Sequence, residues 1–175
     1  HILSVSKLIM YKFFYDVLIP LFKLENIKLN YMDTDSFIFT ILNIEDVYKI
    51  ILENREHFDL SEFTANHYFI DENGKPKYQE NAKKLGKFKL ENNGYITEFI
   101  GLRAKMYAYK EYHNNNDSLG PSGDATRAER DSQGSPFREE QHKRCKGIKK
   151  SIVENDINFD MYYDALFNSN TYYNK

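Results

Sequence analysis

Apolar positions along the first third of the chain pass through three spacings in turn, and each predicts its own kind of element. From Ser4 to Ile19, the residues Val5, Leu8, Ile9, Tyr11, Phe14, Tyr15 and Leu18 recur at helical intervals on more than one face. Ser4 or Ser6 is placed to cap this helix and Pro20 to end it. A helix so apolar is expected to pack under a sheet. Two β-rich runs follow, Ile27-Lys28-Leu29-Asn30-Tyr31 and Phe37-Ile38-Phe39-Thr40-Ile41-Leu42, close enough to pair across a tight turn. Glu45 to about Asn54 returns to a helical period, with Val47, Ile50 and Ile51 inward and acidic residues in the first turn. After a turn signal at Asp71-Glu72-Asn73-Gly74-Lys75-Pro76, the segments Leu85 to Lys89, Tyr95 to Ile100 and Lys105 to Tyr109 read as strands extending an antiparallel layer, punctuated by Gly94 and Gly101. Ile157 to Phe167 predicts a short helix capped by Asn158, its apolar face made of Phe159, Tyr162 or Tyr163, Leu166 and Phe167. The expected fold class is α+β, an antiparallel sheet with packed helices.

One stretch, from about His113 to His142, breaks this patterning. Asp117 to Glu140 is rich in Gly, Pro, Ser, Ala and Arg, with only Leu119 and Phe137 as large apolar residues, and it holds three of the six arginines (Arg127, Arg130, Arg138). So little apolar surface cannot build a core. Residues 113–142 are therefore expected to be a disordered insertion or linker, either foreign to the rest of the chain or a natural surface loop. The chain then divides into residues 1–112, 113–142 and 143–175.

At 175 residues and 20.8 kDa the chain suits one domain with an appendage. A net charge of -2 and a pI near 6.2 exclude a globally basic nucleic-acid binder. The positive charge is nevertheless segregated: Lys83, Lys84, Lys87 and Lys89 form one cluster, and Lys143, Arg144, Lys146, Lys149 and Lys150 another. Such clusters suit either a phosphate-tracking surface or two solvated lysine faces. A single cysteine, Cys145, excludes an internal disulfide and a cysteine-rich zinc site, and fits a reducing intracellular compartment without choosing among nucleus, cytoplasm and mitochondrion. His57 and His67 stand outside any metal-ligand spacing and read as surface or packing histidines. Lys12, Asp16 and Pro20 interrupt the Leu8 to Phe22 stretch, so no membrane partner is expected, and no secretory signal with a small-residue cleavage site is expected either.

The run Tyr31-Met32-Asp33-Thr34-Asp35-Ser36 carries the chemistry. It puts two carboxylates two residues apart at the tip of an apolar hairpin, where i and i+2 of extended backbone share a face. Two anions held there repel one another unless a cation lies between or beside them, and the natural occupant is a hard divalent metal such as magnesium.

An Asp-Thr-Asp-Ser turn after an aromatic, between two apolar strands, resembles motif C of the family B DNA polymerases. The order of other segments is similar too. Ser6-Lys7-Leu8-Ile9-Met10-Tyr11 begins a helix leading into the hairpin; Leu85-Gly86-Lys87-Phe88-Lys89 precedes Glu98-Phe99-Ile100-Gly101-Leu102-Arg103-Ala104-Lys105-Met106-Tyr107; Lys146-Gly147-Ile148-Lys149-Lys150 comes later. That order resembles the protein-primed branch found in Polinton or Maverick-like transposons, linear plasmids and related viruses. Met32 departs from the glycine common at its position.

The resemblance implies a palm-like sheet bearing motif C, with residues 143–175 forming a palm-to-thumb segment and the start of a thumb. It implies template-directed addition of deoxynucleotides to a primer 3′ end, with a DNA primer-template, deoxynucleoside triphosphates and a terminal priming protein as partners, and two Mg2+ ions in the complete enzyme. Asp35 would be the main metal ligand and Asp33 the accessory one; Tyr31, Thr34 and Ser36 would support the turn. Lys105 and Tyr107 fit the family's Lys-x-Tyr and would line the primer strand from one strand face, and Lys149 and Lys150 would contact backbone phosphates. The family's motif A and fingers motif have no counterpart here and are expected before His1. A chain without them is expected to be inactive alone, and a non-catalytic relic or a nucleic-acid-binding fragment is the alternative.

Three other Asp-rich families fit less well. The Tyr-x-Asp-Asp box of reverse transcriptases needs adjacent aspartates, and Thr34 intervenes. An Asp-x-Asp glycosyltransferase needs a nucleotide-binding α/β half, and no repeated strand-helix units precede Asp33. An Asp-x-Asp-x-Thr phosphatase needs Thr or Val where Phe37 stands.

Overall fold

The computed structural model describes residues 2–64, 66–92, 94–114 and 137–169, the side chains of Asn114 and Phe137 excepted. The chain is mixed α+β and forms two compact units, His1–Glu91 and Asn92–Lys175.

The first unit opens with helix α1 (Ile2–Lys12), which continues through a π-helical turn (Phe13–Leu18) into the short α2 (Ile19–Phe22). Pro20 does not end the helix where expected. In a regular α-helix its ring would press on the carbonyl four residues back. The wider turn before it, in which the Ile19 amide donates to the Phe14 carbonyl, resets that spacing and places Pro20 in a first turn that tolerates it. The helix stops only at Lys23, whose φ of 62° leaves helical space while its amide closes on the Ile19 carbonyl at 2.8 Å. Neither Ser4 nor Ser6 caps it, since both lie inside α1.

Strands β1 (Ile27–Asp33) and β2 (Ser36–Ile41) form an antiparallel hairpin, with Ile27 opposite Ile41 and Asp33 opposite Ser36. A bulge at Asn30 shifts the register, and the Asn30 side chain donates to Thr40 Oγ1 at 2.7 Å. Phe37, Phe39 and Ile41 pack on a core of Phe13, Leu18, Phe22, Ile27, Phe58 and Phe69 among others. Phe13 stacks on Phe88 at 3.9 Å between ring centroids and meets Phe58 edge-on at 5.7 Å. Phe22, Phe69 and Leu18 are wholly buried, each worth about 1.5–3 kcal/mol of removed apolar surface. Helix α3 (Val47–Glu53) begins at Asp46, whose carboxylate accepts from the Lys49 amide at 2.9 Å and from the Tyr68 hydroxyl at 3.0 Å. Tyr48 and Ile51 are its buried residues, with Val47 and Ile50 packed beside them.

The expected strand at Leu85 to Lys89 contracts to β4 (Phe88–Lys89), which runs parallel to β3 (Phe58–Asp59) and does not extend the hairpin. Much of the preceding segment is a loop tied down by buried polar groups. The Asn81 amide donates to the carbonyls of Arg55, Glu56 and Phe58, and the buried Asp59 carboxylate accepts from the amides of Ser61 and Lys83. Burial pushes the Asp59 carboxyl up, but hydrogen bonds from the Ser61 hydroxyl and from the Lys83 and Ser61 amides, together with the Lys89 charge, outweigh it and hold the group below the usual range.

The second unit is a three-stranded antiparallel sheet in the order β5 (Tyr95–Arg103), β6 (Met106–Asn114) and β7 (Phe137–Cys145), followed by α4 (Lys150–Asn155) and α5 (Phe159–Phe167). Helix α5 starts where Asn158 caps it, accepting from the Met161 amide at 2.9 Å. It buries Phe159 and Tyr162 against Ile100 and Ala108, while Tyr163, Leu166 and Phe167 stay exposed, so its apolar face is narrower than expected. The Tyr162 hydroxyl donates to the Arg144 carbonyl at 2.9 Å, and burial raises its pKa far above the ordinary phenol range.

Strand β7 corrects the expected disordered segment. Residues 113, 114 and 137–142 belong to a ladder that pairs His113 with Arg138, Glu111 with Glu140 and Tyr109 with His142. The proposed boundaries at 112 and 143 therefore cut through β6 and β7, and the compact units instead part between Glu91 and Asn92. A strand of charged residues has no apolar alternation to reveal it; backbone hydrogen bonds and polar cross-strand pairs hold it in place. The remainder of that segment, 115–136, lies outside the described residues.

Candidate metal and nucleic-acid site

The hairpin places Asp33 at the end of β1 and Thr34-Asp35 in the connecting turn. Asp33, opposite Ser36, shares the face of Tyr31 and Ile38, away from the one that Phe37 and Phe39 turn to the core. It is half-buried, whereas Asp35 is exposed. The backbone at Asp35 is not extended, so the i, i+2 argument for a shared face does not apply. A different device presents the two carboxylates. The Asp35 amide donates back to the Asp33 carbonyl around Thr34, whose φ of 40° is positive, a tight three-residue turn of a strained kind.

Three side-chain hydrogen bonds and a packed ring help to hold this turn. Thr34 Oγ1 donates to Asp33 Oδ1 at 3.1 Å, and the Ser36 hydroxyl donates to the Asp33 carbonyl at 3.2 Å. From α1, the Ser6 hydroxyl donates to the Thr34 carbonyl at 3.0 Å. Below the turn, Phe37 packs between Phe14 and Phe88 with centroids 6.0 and 5.9 Å away. Ser6 thus acts as a brace between helix and turn, a role its position inside a helix does not advertise.

Asp33 and Asp35 offer the hard oxygen donors that magnesium takes. Among the described residues, however, no group of three or more His, Cys, Asp or Glu side chains is arranged to hold a metal ion, so these two carboxylates do not make a complete cage.

Lys105 and Tyr107 lie in the second unit. Lys105 is not in a strand: with Ala104 it forms the turn between Arg103 and Met106, at a φ of 59°, and its carbonyl accepts from the Lys146 amide at 3.0 Å. The expectation that Lys105 and Tyr107 face one groove as i and i+2 of a strand therefore fails at Lys105. Tyr107 does sit in β6, half-buried, its ring 5.9 Å from Phe99 and 6.4 Å from Tyr109. Lys149 is the residue before α4, and Lys150 pairs with Glu154 one turn on at 3.3 Å; both are exposed. Gly147 precedes them at a φ of 100°, with nothing near its missing side chain, so it serves backbone conformation and not a close approach.

Several lysines of the two basic clusters are engaged internally. Lys87 Nζ donates to the Glu56 carbonyl at 2.6 Å, Lys89 pairs with Glu62, and Lys143 donates to the carbonyls of Glu154 at 3.1 Å and Ile157 at 2.6 Å. Burial lowers the Lys143 pKa. His57 stands 3.5 Å from Glu56, and His67 lies against Tyr68 at 4.2 Å between centroids.

A second cluster had no part in the sequence reading: Glu111 and His113 on β6 face Glu140 and His142 on β7. Its signal was the repeated Glu-x-His, which matters only once the two strands are known to pair.

No protein-family model matches the chain, and neither the curated proteins nor the solved structures include a match. Among the described residues no helix is long and apolar enough to cross a membrane.

Proposed function

We propose that the chain is the motif C portion of a family B DNA polymerase palm, of the protein-primed branch. The observation that supports this best is the Asp33-Thr34-Asp35 turn at the tip of an antiparallel hairpin whose inner face is core and whose tip is braced by Ser6. In the complete enzyme Mg2+ would be held by Asp35 and Asp33 with a further carboxylate from elsewhere in the polymerase. When bound, the metals supply charge neutralisation at the phosphorus and activation of the primer hydroxyl. This chain's own part is positioning: the Thr34 turn fixes where the two carboxylates stand, and Tyr107 and Lys105 supply primer contacts on the second unit.

Two measurements test the reading. Millimolar Mn2+ should broaden the amide resonances of Asp33 to Ser36 in the isolated chain, and Asp35→Asn should abolish this; undisturbed resonances would remove the metal role. In the full polymerase, Asp35→Asn should lower nucleotide incorporation by at least about three orders of magnitude with DNA binding retained, because a lost metal ligand removes several kcal/mol of transition-state stabilisation. Equal activity of the variant and its parent refutes the assignment.

A further inference from the structure

Strand β7 is held by unusual means. Its sequence Phe137-Arg138-Glu139-Glu140-Gln141-His142-Lys143-Arg144-Cys145 is almost wholly polar, and it forms one edge of the three-stranded sheet. Among its described side chains Cys145 is the buried apolar one. Helix α5 covers the face of the sheet that carries Ala108, with Lys110 Nζ 4.7 Å above the Phe159 ring, so the opposite face, with Tyr109, Glu111 and His113, has no α5 residue over it.

On that opposite face two carboxylates meet. Glu111 and Glu140 are direct partners across the β6–β7 ladder, a like-charge pair that destabilises a sheet when both are bare. Glu111 is only 3% exposed. Gly94 closes over it: a Cβ there would stand 3.0 Å from the Glu111 Cγ and 2.4 Å from the Tyr112 carbonyl oxygen. Asn92 Nδ2 donates to Glu111 Oε2 at 2.9 Å.

Two imidazoles bracket the pair diagonally. His142 Nε2 lies 3.2 Å from Glu111 Oε2 and 3.9 Å from Glu140 Oε1; His113 Nε2 lies 3.6 Å from Glu111 Oε1 and 3.8 Å from Glu140 Oε2. Both Nε2 atoms are sealed from solvent and in hydrogen-bond geometry with no acceptor among the described residues. A buried nitrogen surrounded by carboxylate oxygens is tolerable when it carries a proton and repelled when it presents a lone pair. This face also carries Arg138, 3.8 Å from Glu140, and Tyr109, stacked on His142 at 4.6 Å; Ile96 is the β5 neighbour of Glu111, and Arg144 follows His142 on β7.

We propose that Glu111, Glu140, His113 and His142 form a proton-operated clasp that fastens edge strand β7 to β6 when both imidazoles are charged and loosens it when they are neutral. With both histidines protonated the four side chains sum to zero charge. With both neutral they leave two opposed carboxylates, one of them buried, with Arg138 in partial compensation. Because the described side chains of β7 from Arg138 to Arg144 are all polar, this charge balance weighs more on its pairing than it would on a strand anchored in a core.

The experiment is amide hydrogen exchange of the full chain, corrected for intrinsic rates, at pH 5.8 and pH 8.0. Protection of Arg138 to Cys145 should fall by at least about tenfold between the two, more than that of β5. In His113→Gln/His142→Gln the ratio should approach one. Should that variant fail to fold, Glu111→Gln, which keeps a partner for Asn92, should flatten the same profile. A wild-type ratio near one, or an undiminished ratio in the variants, overturns the proposal. So does a ten-equivalent addition of Zn2+ that restores protection at pH 8.0, which would show a metal site in place of a proton-operated one. None of these readouts depends on Asp33 or Asp35.

Discussion

Thr34 offers a test of how the candidate site is built, because its φ of 40° puts a β-branched residue where glycine is at ease. Holding a side chain in that region costs on the order of 1–2 kcal/mol. Thr34→Gly removes the cost, gives back about 0.5–1 kcal/mol through the greater freedom of the unfolded chain, and loses the exposed hydrogen bond to Asp33, worth at most about 0.5 kcal/mol. The result is a net change near zero or slightly stabilising. Thr34→Ala loses the same hydrogen bond but keeps the strain, so it should be destabilised by about 0.5 kcal/mol. The glycine variant should therefore exceed the alanine variant by about 1 kcal/mol. For a unit of this length, 1 kcal/mol corresponds to about 5 °C in Tm. Thermal melts followed by circular dichroism resolve that difference. An alanine variant equal to or more stable than the glycine variant would refute the strain and with it the account of how Asp33 and Asp35 are presented. If strain serves the site, Thr34→Gly should also weaken Mn2+ broadening at the turn while raising stability.

Three further outcomes are expected. Phe69→Ala should destabilise the first unit by about 3–5 kcal/mol, because Phe69 is wholly buried against Phe63 and Tyr48; a urea melt showing less than about 1.5 kcal/mol would mean that the core is not packed as described. Burial raises the Glu111 carboxyl, but the His142 imidazole 3.2 Å away, the hydrogen bond from Asn92 and the charges of both histidines outweigh it, so its folded pKa lies below its ordinary value. Its contribution is thus present above about pH 4.3 and lost as pH falls through the lower folded value; the wild-type minus Glu111→Gln difference in urea midpoint should shrink in that direction, and a difference that grows toward low pH would reverse the sign. Joining Asn116 to Gln141 by deleting residues 117–140 removes Phe137 to Glu140 from the β7 ladder, and at about 1 kcal/mol per lost hydrogen bond the Tm should fall by about 10 °C or more; an unchanged Tm would return the whole segment to a linker.

Local pattern was enough to read the elements whose chemistry is local. The hairpin around Asp33 to Ser36, the helix ending at Glu53 and the Asn158 cap follow from β-rich runs, helical spacing and a capping side chain, which act within a few residues. The pairing of Asp33 and Asp35 at one turn was legible for the same reason. Tertiary structure decided the rest. Pro20 survives inside a helix because a π turn precedes it, Ser6 leaves capping to brace a turn 28 residues away, and Lys105 falls in a turn between two strands whose ends only the ladder defines. Strand β7 is the clearest case. Its side chains are nearly all polar, so no periodicity announced it, and what makes it a strand is a row of backbone partners on β6 together with charges that find their counterparts only once the two are side by side. Periodicity reports what a segment can bury; it is silent about segments held by hydrogen bonds and charge, whose partners lie elsewhere in the chain.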